Sequence, residues 1–315
     1  MPAARTARSK VAVVGAGNVG ATAAQRLAEL NLVNEVVLLD ILEGMPKGKA
    51  LDLWESAPIL GYDTRLTGGT DYGLAEGAEL VIVTAGLARK PGMSRDDLLQ
   101  KNTEIVQGVA EQLKARCPDA IIIVVSNPLD VMAYVTLKTT GFDRTRVVGM
   151  AGVLDTARFR SFIALELDVS VRDVSAFVLG GHGDSMVPLP RYSTVAGIPL
   201  PHLLSEERIA ALVERTRKGG GEIVALLGTG SAYYAPSAAA VEMAEAILRD
   251  RNRILPCAAW LQGEYGLSDV FIGVPVKLGA GGLKEIVEIE LTDEERKALH
   301  ASAGEVKEQM AMLRI

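Results

Sequence analysis

The 315-residue chain has few cysteine, histidine and aromatic side chains, and these scarcities exclude several classes of protein. Its two cysteines, Cys117 and Cys257, lie far apart and share no metal-ligand spacing with histidines. This argues against a disulfide framework and a bound metal, and it indicates a reducing compartment. No apolar run reaches the roughly 18 residues that a membrane span requires. We therefore expect a cytoplasmic protein with no membrane contact.

The chain also lacks an excess of positive charge. It has 33 Lys and Arg residues against 39 Asp and Glu residues, a net charge of −6. Nucleic-acid-binding proteins usually show a basic patch, so we expect no nucleic-acid partner. A few arginines can still create a local positive site for a small anion. The first residues carry Arg5 and Arg8 and no acid, but they are too few for a transit peptide, and we expect residues 1–9 to form a disordered tail.

What the chain does contain is a regular alternation of strand-like and helical segments. Over residues 10–150 this alternation predicts an α/β fold, an N-terminal Rossmann domain with a doubly wound parallel sheet. Aliphatic strands in a chain with only 4% aromatic residues suit a sheet that is covered on both faces. Residues 151–315 contain helical segments and strand-like segments at 254–276 and 283–291. One helix is predicted at 206–218 and a terminal one at 292–313, where Thr292 and Glu295 form a capping box. These segments predict an α+β substrate domain with a second, antiparallel sheet.

A glycine-rich motif follows the first strand and opens a helix. Gly15 permits the tight turn, Gly17 lets the backbone approach a pyrophosphate, and Gly20 lets helix and strand pack closely. Asp40 ends the second strand, where a carboxylate can accept hydrogen bonds from both ribose hydroxyls and repel a 2′-phosphate. The motif therefore predicts NAD rather than NADP. Its cofactor-binding residues are Gly15, Ala16, Gly17, Asn18, Val19 and Gly20.

Two loops at predicted strand ends are further candidates for a site. The segment 85–95 is rich in glycine and proline and carries Arg89, Lys90 and Arg95 without an acid, which suits a mobile lid but also an ordinary solvated surface. Ser126, Asn127 and Pro128 end the most strand-like run of the chain. Ligands in α/β sheets bind at this end of the strands.

One of only three histidines lies in a glycine-rich stretch after an apolar run at 174–179. His182 can exchange a proton near neutral pH because its ordinary pKa is about 6.5. Asp155 and Arg158 lie three apart in a helical segment, so they share one helix face. They can form a surface ion pair, or they can orient a histidine and bind a substrate carboxylate. The residues alone leave both alternatives open.

Five motifs in this order resemble the lactate/malate dehydrogenase superfamily, and within it the malate dehydrogenases of the lactate-dehydrogenase-like type. The resemblance runs from about Val11 to the C-terminal helix. It rests on GAGNVG with Asp40, ARKPGMSR at 88–95, SNP at 126–128, LDTARFR at 154–160 and GGHGDSMVP at 180–188. Any one motif is weak evidence, but the ordered set is specific.

The resemblance implies a role for each candidate residue. His182 would accept the proton of the substrate hydroxyl, and Asp155 would orient the imidazole. Arg158 would bind the C1 carboxylate, Arg95 would polarise the carbonyl, and Asn127 would hydrogen-bond the substrate. The cofactor-binding set would also include Asn102, Val125, Ser126 and Asn127.

Arg89 decides which substrate the resemblance implies. In the family a cation at this position pairs with the second carboxylate of malate or oxaloacetate, whereas lactate dehydrogenases typically carry glutamine. The resemblance thus implies NAD-dependent malate oxidation, a step suited to the citric acid cycle, in a homodimer or homotetramer. A lactate or broad 2-hydroxy-acid dehydrogenase is the nearest alternative. A non-catalytic NAD(H)-binding sensor on the same fold is a more distant one.

Overall fold

The computed structural model describes residues 9–87 and 95–315, except for the side chain of Arg95. In the first half of this described chain, strands and helices alternate as the sequence predicts. The strands are β1 (Lys10–Val14), β2 (Glu35–Leu39), β3 (Arg65–Gly69), β4 (Leu80–Val83), β5 (Ile121–Val124) and β6 (Val147–Gly149). The helices are α1 (Asn18–Glu29), α2 (Gly44–Leu60), α3 (Arg95–Arg116) and α4 (Leu129–Thr140).

The six strands of the first half form a parallel sheet in the order β3-β2-β1-β4-β5-β6. Helices cover both faces, so strand residues such as Val13 and Ile82 are fully buried, which explains the continuous apolar runs. The strand order changes direction between β1 and β4, and a crevice opens there at the carboxyl ends of the strands. This topology places the turn after β1 beside Thr84 and Ala85, which follow β4.

The second half packs helices against short and long antiparallel strands. Its helices are α5 (Gly152–Leu167), α6 (Glu206–Leu227), α7 (Tyr234–Leu248) and α8 (Asp293–Ala311). The short strands are β7 (Val174–Ser175), β8 (Val178–Leu179), β9 (Val187–Pro188), β10 (Thr194–Val195) and β11 (Ile198–Pro199). The long strands are β12 (Arg253–Gln262), β13 (Ser268–Gly279) and β14 (Gly282–Ile286).

The predicted antiparallel strands are present, but they do not form a separate second sheet. β12, β13 and β14 continue the parallel sheet beyond β6 into one sheet of nine strands. The junction is a single antiparallel pair, Ala258 with Gly149. A Cβ on Gly149 would lie 2.8 Å from the Ala258 Cβ, so a glycine is needed for this close approach. Strand patterns identify the strands but not the neighbour that each one will pair with.

Two element boundaries differ from the prediction. The run at 174–179 forms two separate strands because β7 pairs with β10, whereas β8 pairs with β9. α6 does not end at Lys218 but continues through Gly219 and its two following glycines. Glycine inside a helix costs about 1 kcal/mol relative to alanine. Here the missing side chain makes room, because a Cβ on Gly219 would lie 3.1 Å from the Arg158 Cδ.

The chain termini are partly as expected. Ser9, assigned to a disordered tail, instead donates its backbone N–H to the Asn34 Oδ1 at 3.2 Å and accepts from the Asn34 N–H at 3.0 Å. The rest of that tail, residues 1–8, lies outside the described residues. The predicted capping box at the start of α8 is confirmed, with Thr292 and Glu295 bonding reciprocally. Within the described residues, no helix is long and apolar enough to cross a bilayer.

Candidate active site

A histidine, an aspartate and an arginine form a hydrogen-bonded chain just beyond the end of β8. The His182 Nδ1 lies 2.8 Å from the Asp155 Oδ2. The other oxygen of Asp155 accepts a hydrogen bond from the Arg158 Nη1 at 3.1 Å. Asp155 is only 2% exposed, so its charge is balanced by these two neighbours rather than by solvent. The sequence places Asp155 and Arg158 on one helix face, and the fold brings His182 to them.

The surroundings of the His182 ring favour its protonated form. Burial by itself disfavours the imidazolium, but the carboxylates of Asp155 and Asp130 outweigh burial and the positive charge of Arg158. The pKa of His182 is therefore raised above its ordinary value of 6.5. Because Nδ1 faces Asp155, the remaining ring nitrogen, Nε2, is the one left to exchange a proton with a substrate.

A cleft of about 510 Å³ joins this histidine to the carboxyl ends of the parallel strands. The volume lies within the range of small-molecule sites. The first half of the chain contributes strand-end and loop residues to its wall: Val19, Thr84, Gly86, Asn102, Val125, Ser126 and Asn127. The second half contributes residues of α5, of α6 and of the loop after β8: Leu154, Arg158, His182, Arg217, Gly220 and Gly221.

The glycine-rich turn at one end of the cleft has three different local environments. Gly15 has a φ of +105°, and a Cβ there would lie 2.5 Å from the Thr84 Oγ1. A Cβ on Gly20 would lie 1.8 Å from the Gly15 carbonyl oxygen, so only glycine lets α1 pack this closely. Gly17 has no neighbouring atom within 4 Å of the position of a Cβ. This open face, with no side-chain cap on α1, leaves helix N–H groups for an anion.

Asp40 holds this turn in place. Its Oδ2 accepts a hydrogen bond from the Ala16 N–H at 2.7 Å, and its Oδ1 accepts from the Leu42 N–H at 3.1 Å. A carboxylate oxygen can accept a further bond, so this half-buried group retains capacity for the hydroxyls of a ribose. Asp40 is thus both a support of the loop and a potential ligand group.

Asn102 serves as an anchor between two loops. It is 1% exposed, and its Oδ1 accepts from the Leu87 N–H at 2.7 Å. Its Nδ2 donates to the Asn127 carbonyl oxygen at 2.8 Å. Nearby, the Ser126 hydroxyl donates to the Ala85 carbonyl oxygen at 2.5 Å. These bonds fix the backbone at the strand ends and leave the exposed Asn127 facing the cleft.

The two arginines of the predicted lid are not placed. Arg89 lies outside the described residues, and Arg95 begins α3 but its side chain is not described. The described parts of the chain on either side, at Leu87 and Leu98, both line the cleft.

Two residues that reach the site were not singled out from the sequence. Arg217 lies on α6 at the cleft, and its Nε donates to the Met186 carbonyl oxygen at 3.3 Å. The glycine run that follows it was the available signal, because glycines inside a helix often mark a close approach. Asp130, on α4, accepts a hydrogen bond from the His182 backbone N–H at 2.9 Å. It is 52 residues away in sequence, and no local pattern marks that contact.

Known families match the chain over almost its whole length. A model of the lactate/malate dehydrogenase NAD binding domain matches residues 9–149, and a model of the lactate/malate dehydrogenase alpha/beta C-terminal domain matches residues 152–313. The chain belongs to the lactate/malate dehydrogenase family. The two matched segments correspond to the parallel strands with their helices and to the half that carries His182.

Individual members of this lactate/malate dehydrogenase family resemble the chain closely. A malate dehydrogenase of Chloroherpeton thalassium is 64% identical over 299 residues, 95% of this chain and 96% of that protein. The solved malate dehydrogenase of Salinibacter ruber is 61% identical, with a TM-score of 0.93 and 97% of each chain covered. A lactate dehydrogenase of Cryptosporidium parvum, solved with lactic acid and nicotinamide adenine dinucleotide, is 42% identical with a TM-score of 0.93, covering 97% of this chain and 98% of that one. The backbone alone therefore does not separate the two substrates.

Proposed function

We propose that this chain is an NAD-dependent malate dehydrogenase that interconverts (S)-malate and oxaloacetate: malate + NAD⁺ ⇌ oxaloacetate + NADH + H⁺. The observation that carries the proposal is that His182, bonded to Asp155 beside Arg158, lines the same cleft as Val19 of the glycine-rich motif. Relatives at 64% identity that are named malate dehydrogenase support malate over lactate.

The first half of the chain fits the cofactor. The open face at Gly17 and the free end of α1 suit a pyrophosphate, and Asp40 suits an unphosphorylated ribose. Val125 and Ser126, with Asn102 behind them, lie where the nicotinamide end would be held. When bound, NAD⁺ supplies the hydride acceptor.

His182 handles the proton. In malate oxidation its neutral Nε2 accepts the hydroxyl proton, while Asp155 stabilises the resulting imidazolium and keeps the ring in the useful tautomer. In oxaloacetate reduction the imidazolium returns that proton to the carbonyl oxygen. The raised pKa of His182 favours the imidazolium relative to an ordinary histidine, which supports proton donation in the reductive direction.

Arginines bind the two carboxylates of the substrate. The bond to Asp155 engages the Arg158 Nη1, and the guanidinium carries five N–H donors, so a fork remains for the C1 carboxylate. Arg89 pairs with the C4 carboxylate, and Arg95 stabilises the charge that develops on the carbonyl oxygen. Asn127 adds a hydrogen bond from the sheet side of the cleft.

The charge of Arg89 is tested by Arg89→Gln. The ratio of kcat/KM for oxaloacetate to that for pyruvate should fall by about 10²- to 10⁴-fold, because breaking one side of an enclosed charge pair costs about 3–5 kcal/mol. NADH oxidation at 340 nm measures both substrates. Lys90→Gln removes the same charge from the adjacent position and should change the ratio little.

The outcomes separate the alternatives. Comparable turnover of pyruvate by the unmodified protein would favour a lactate or broad 2-hydroxy-acid dehydrogenase. NADH binding without turnover of either 2-oxo acid would favour the sensor. An equal effect of Lys90→Gln would mean that the loop acts through its overall charge and not through Arg89.

The assembly and location complete the proposal. A homodimer or homotetramer and a cytoplasmic site are the expectations for this family member. Light scattering coupled to size exclusion distinguishes the two oligomers.

A further inference from the structure

A second carboxylate lies behind the catalytic histidine. Asp130 is in the first turn of α4 and is 5% exposed. Its Oδ2 accepts the hydrogen bond from the His182 backbone N–H at 2.9 Å. Its Oδ1 is buried and has no hydrogen-bond partner among the described residues. A buried ion in this state is costly to maintain, so its presence beside a proton-exchanging group calls for a function.

Asp130 and α8 together hold the backbone of the histidine loop. The Gly181 N–H donates to the Ser302 Oγ at 2.8 Å, and the next N–H, that of His182, is the one bound by Asp130. The Ser302 hydroxyl also donates to the Ser185 Oγ at 3.1 Å, on the far side of His182 in the loop. Two successive N–H groups are thus fixed by side chains of distant helices, one neutral and one charged.

The hydrogen bonds of His182 link it to two carboxylates and, through one of them, to a guanidinium. Asp155 bonds to the Nδ1 of the His182 ring, and Asp130 accepts a hydrogen bond from the His182 backbone N–H. Arg158 bonds to Asp155 and balances its charge. With His182 protonated, two anions face two cations; with His182 neutral, one negative charge is left uncompensated. Both carboxylates therefore stabilise the imidazolium. Among the described residues, Glu305 of α8 borders the same cavity of about 40 Å³ as Asp130, and Asp184 and Arg217 line the cleft on the other side of His182.

We propose that Asp130 is a positioning residue for the reaction, fixing the main chain of His182 and supplying a second negative charge that favours the protonated imidazole. The inference rests on the proposed role of His182 as the proton carrier. Two properties of Asp130 agree with it. Its pKa is raised to about 6, chiefly by burial and also by the charge of Asp155, while the hydrogen bond from His182 and the charge of His182 act to lower it, so the group remains an anion near pH 7. Its place at the start of α4 also lets the helix N-terminus stabilise the anion.

The test uses Asp130→Asn, which keeps an acceptor for the His182 N–H and removes only the charge. The chain has three histidines, so ring-proton NMR of the full chain with NADH can follow His182 against His202 and His300. We expect the His182 midpoint to fall by about one pH unit, the lower end of the effect of a nearby opposite charge. The midpoints of His202 and His300 should not move. An unchanged His182 midpoint would overturn the electrostatic role.

Two further variants separate charge from position. Ser302→Ala removes the neighbouring loop hydrogen bond without changing a charge, so it should leave the His182 midpoint unchanged. Asp130→Ala removes both charge and acceptor, and kcat should fall about tenfold below that of Asp130→Asn, because a buried N–H loses its partner. Equal kcat values for the two Asp130 variants would overturn the positioning role.

The same data distinguish this inference from the proposed function. The midpoint of the pH profile of kcat/KM for oxaloacetate should move together with the NMR midpoint. If the NMR midpoint moves and the kinetic one does not, His182 is not the proton donor, although its coupling to Asp130 stands. If Asp130→Asn does not fold, the unmodified protein still gives a test: the His182 resonance should show a second inflection near the Asp130 pKa of about 6, and a single inflection would contradict the coupling.

Discussion

The cofactor end and the catalytic end of the cleft are built in different ways. At the cofactor end, Gly15, Gly20 and Asp40 lie within 25 residues of one another. Gly15 follows β1, Gly20 lies in the first turn of α1, and Asp40 follows β2. At the catalytic end, His182 follows a two-residue strand and depends on Asp155 and Asp130, 27 and 52 residues away. Local sequence specifies the first, whereas tertiary contacts between α4, α5 and the β8 loop specify the second.

Among the substitutions that test this difference between the two ends, Asp155→Asn is expected to have the largest effect on kcat. Removing the orienting charge should lower kcat by about 10³- to 10⁴-fold, as in other sites where a carboxylate holds a catalytic histidine in its tautomer. The dissociation constant of NADH should stay within about twofold, because sites without shared partners act independently. Steady-state kinetics and NADH fluorescence titration measure the two. A kcat reduced less than tenfold would show that the Asp155 contact is not needed for proton transfer.

At the cofactor end, we expect smaller effects, on stability and NADH binding, from replacing either of two glycines by alanine. Gly20→Ala forces a Cβ against the Gly15 carbonyl oxygen and should destabilise the fold by about 1–3 kcal/mol. Gly17→Ala meets open space and should change stability by less than about 0.5 kcal/mol while weakening NADH binding. Urea midpoints and fluorescence titration check both. Equal stability of the two variants would remove the distinction between a packing glycine and a ligand-facing glycine.

The fold was largely predictable where periodicity is local. Apolar runs such as Leu80–Val83 mark strands that are buried on both faces, and the alternation with helices fixes a parallel sheet. The pairing of β12 with β6 was not predictable, because it depends on the contact of Gly149 with Ala258 and not on any strand pattern. The continuation of α6 through Gly219 was missed for a related reason: its packing against Arg158 compensates for a weak local helix preference.

The site, like the fold, was predictable only in part from the sequence. Motif order led to His182, Asp155 and Arg158, and the structure brings all three together. It did not lead to Asp130, whose position in the first turn of α4 looks like an ordinary helix-start aspartate. Nor does the sequence show that both the oxygen and the nitrogen of the Asn102 side-chain amide form hydrogen bonds with backbone groups. Such roles depend on which loops meet in space.

The pH dependence of oxaloacetate reduction tests the central claim most directly. His182 must be protonated to donate, so kcat/KM should be constant at low pH and fall as pH rises through the pKa of His182. Since Asp155 and Asp130 raise that pKa, the midpoint should lie above 6.5, and malate oxidation should rise through the same midpoint. A midpoint at or below 6.5, or two directions with unrelated profiles, would contradict the proposal that the two carboxylates prepare His182 as the proton carrier.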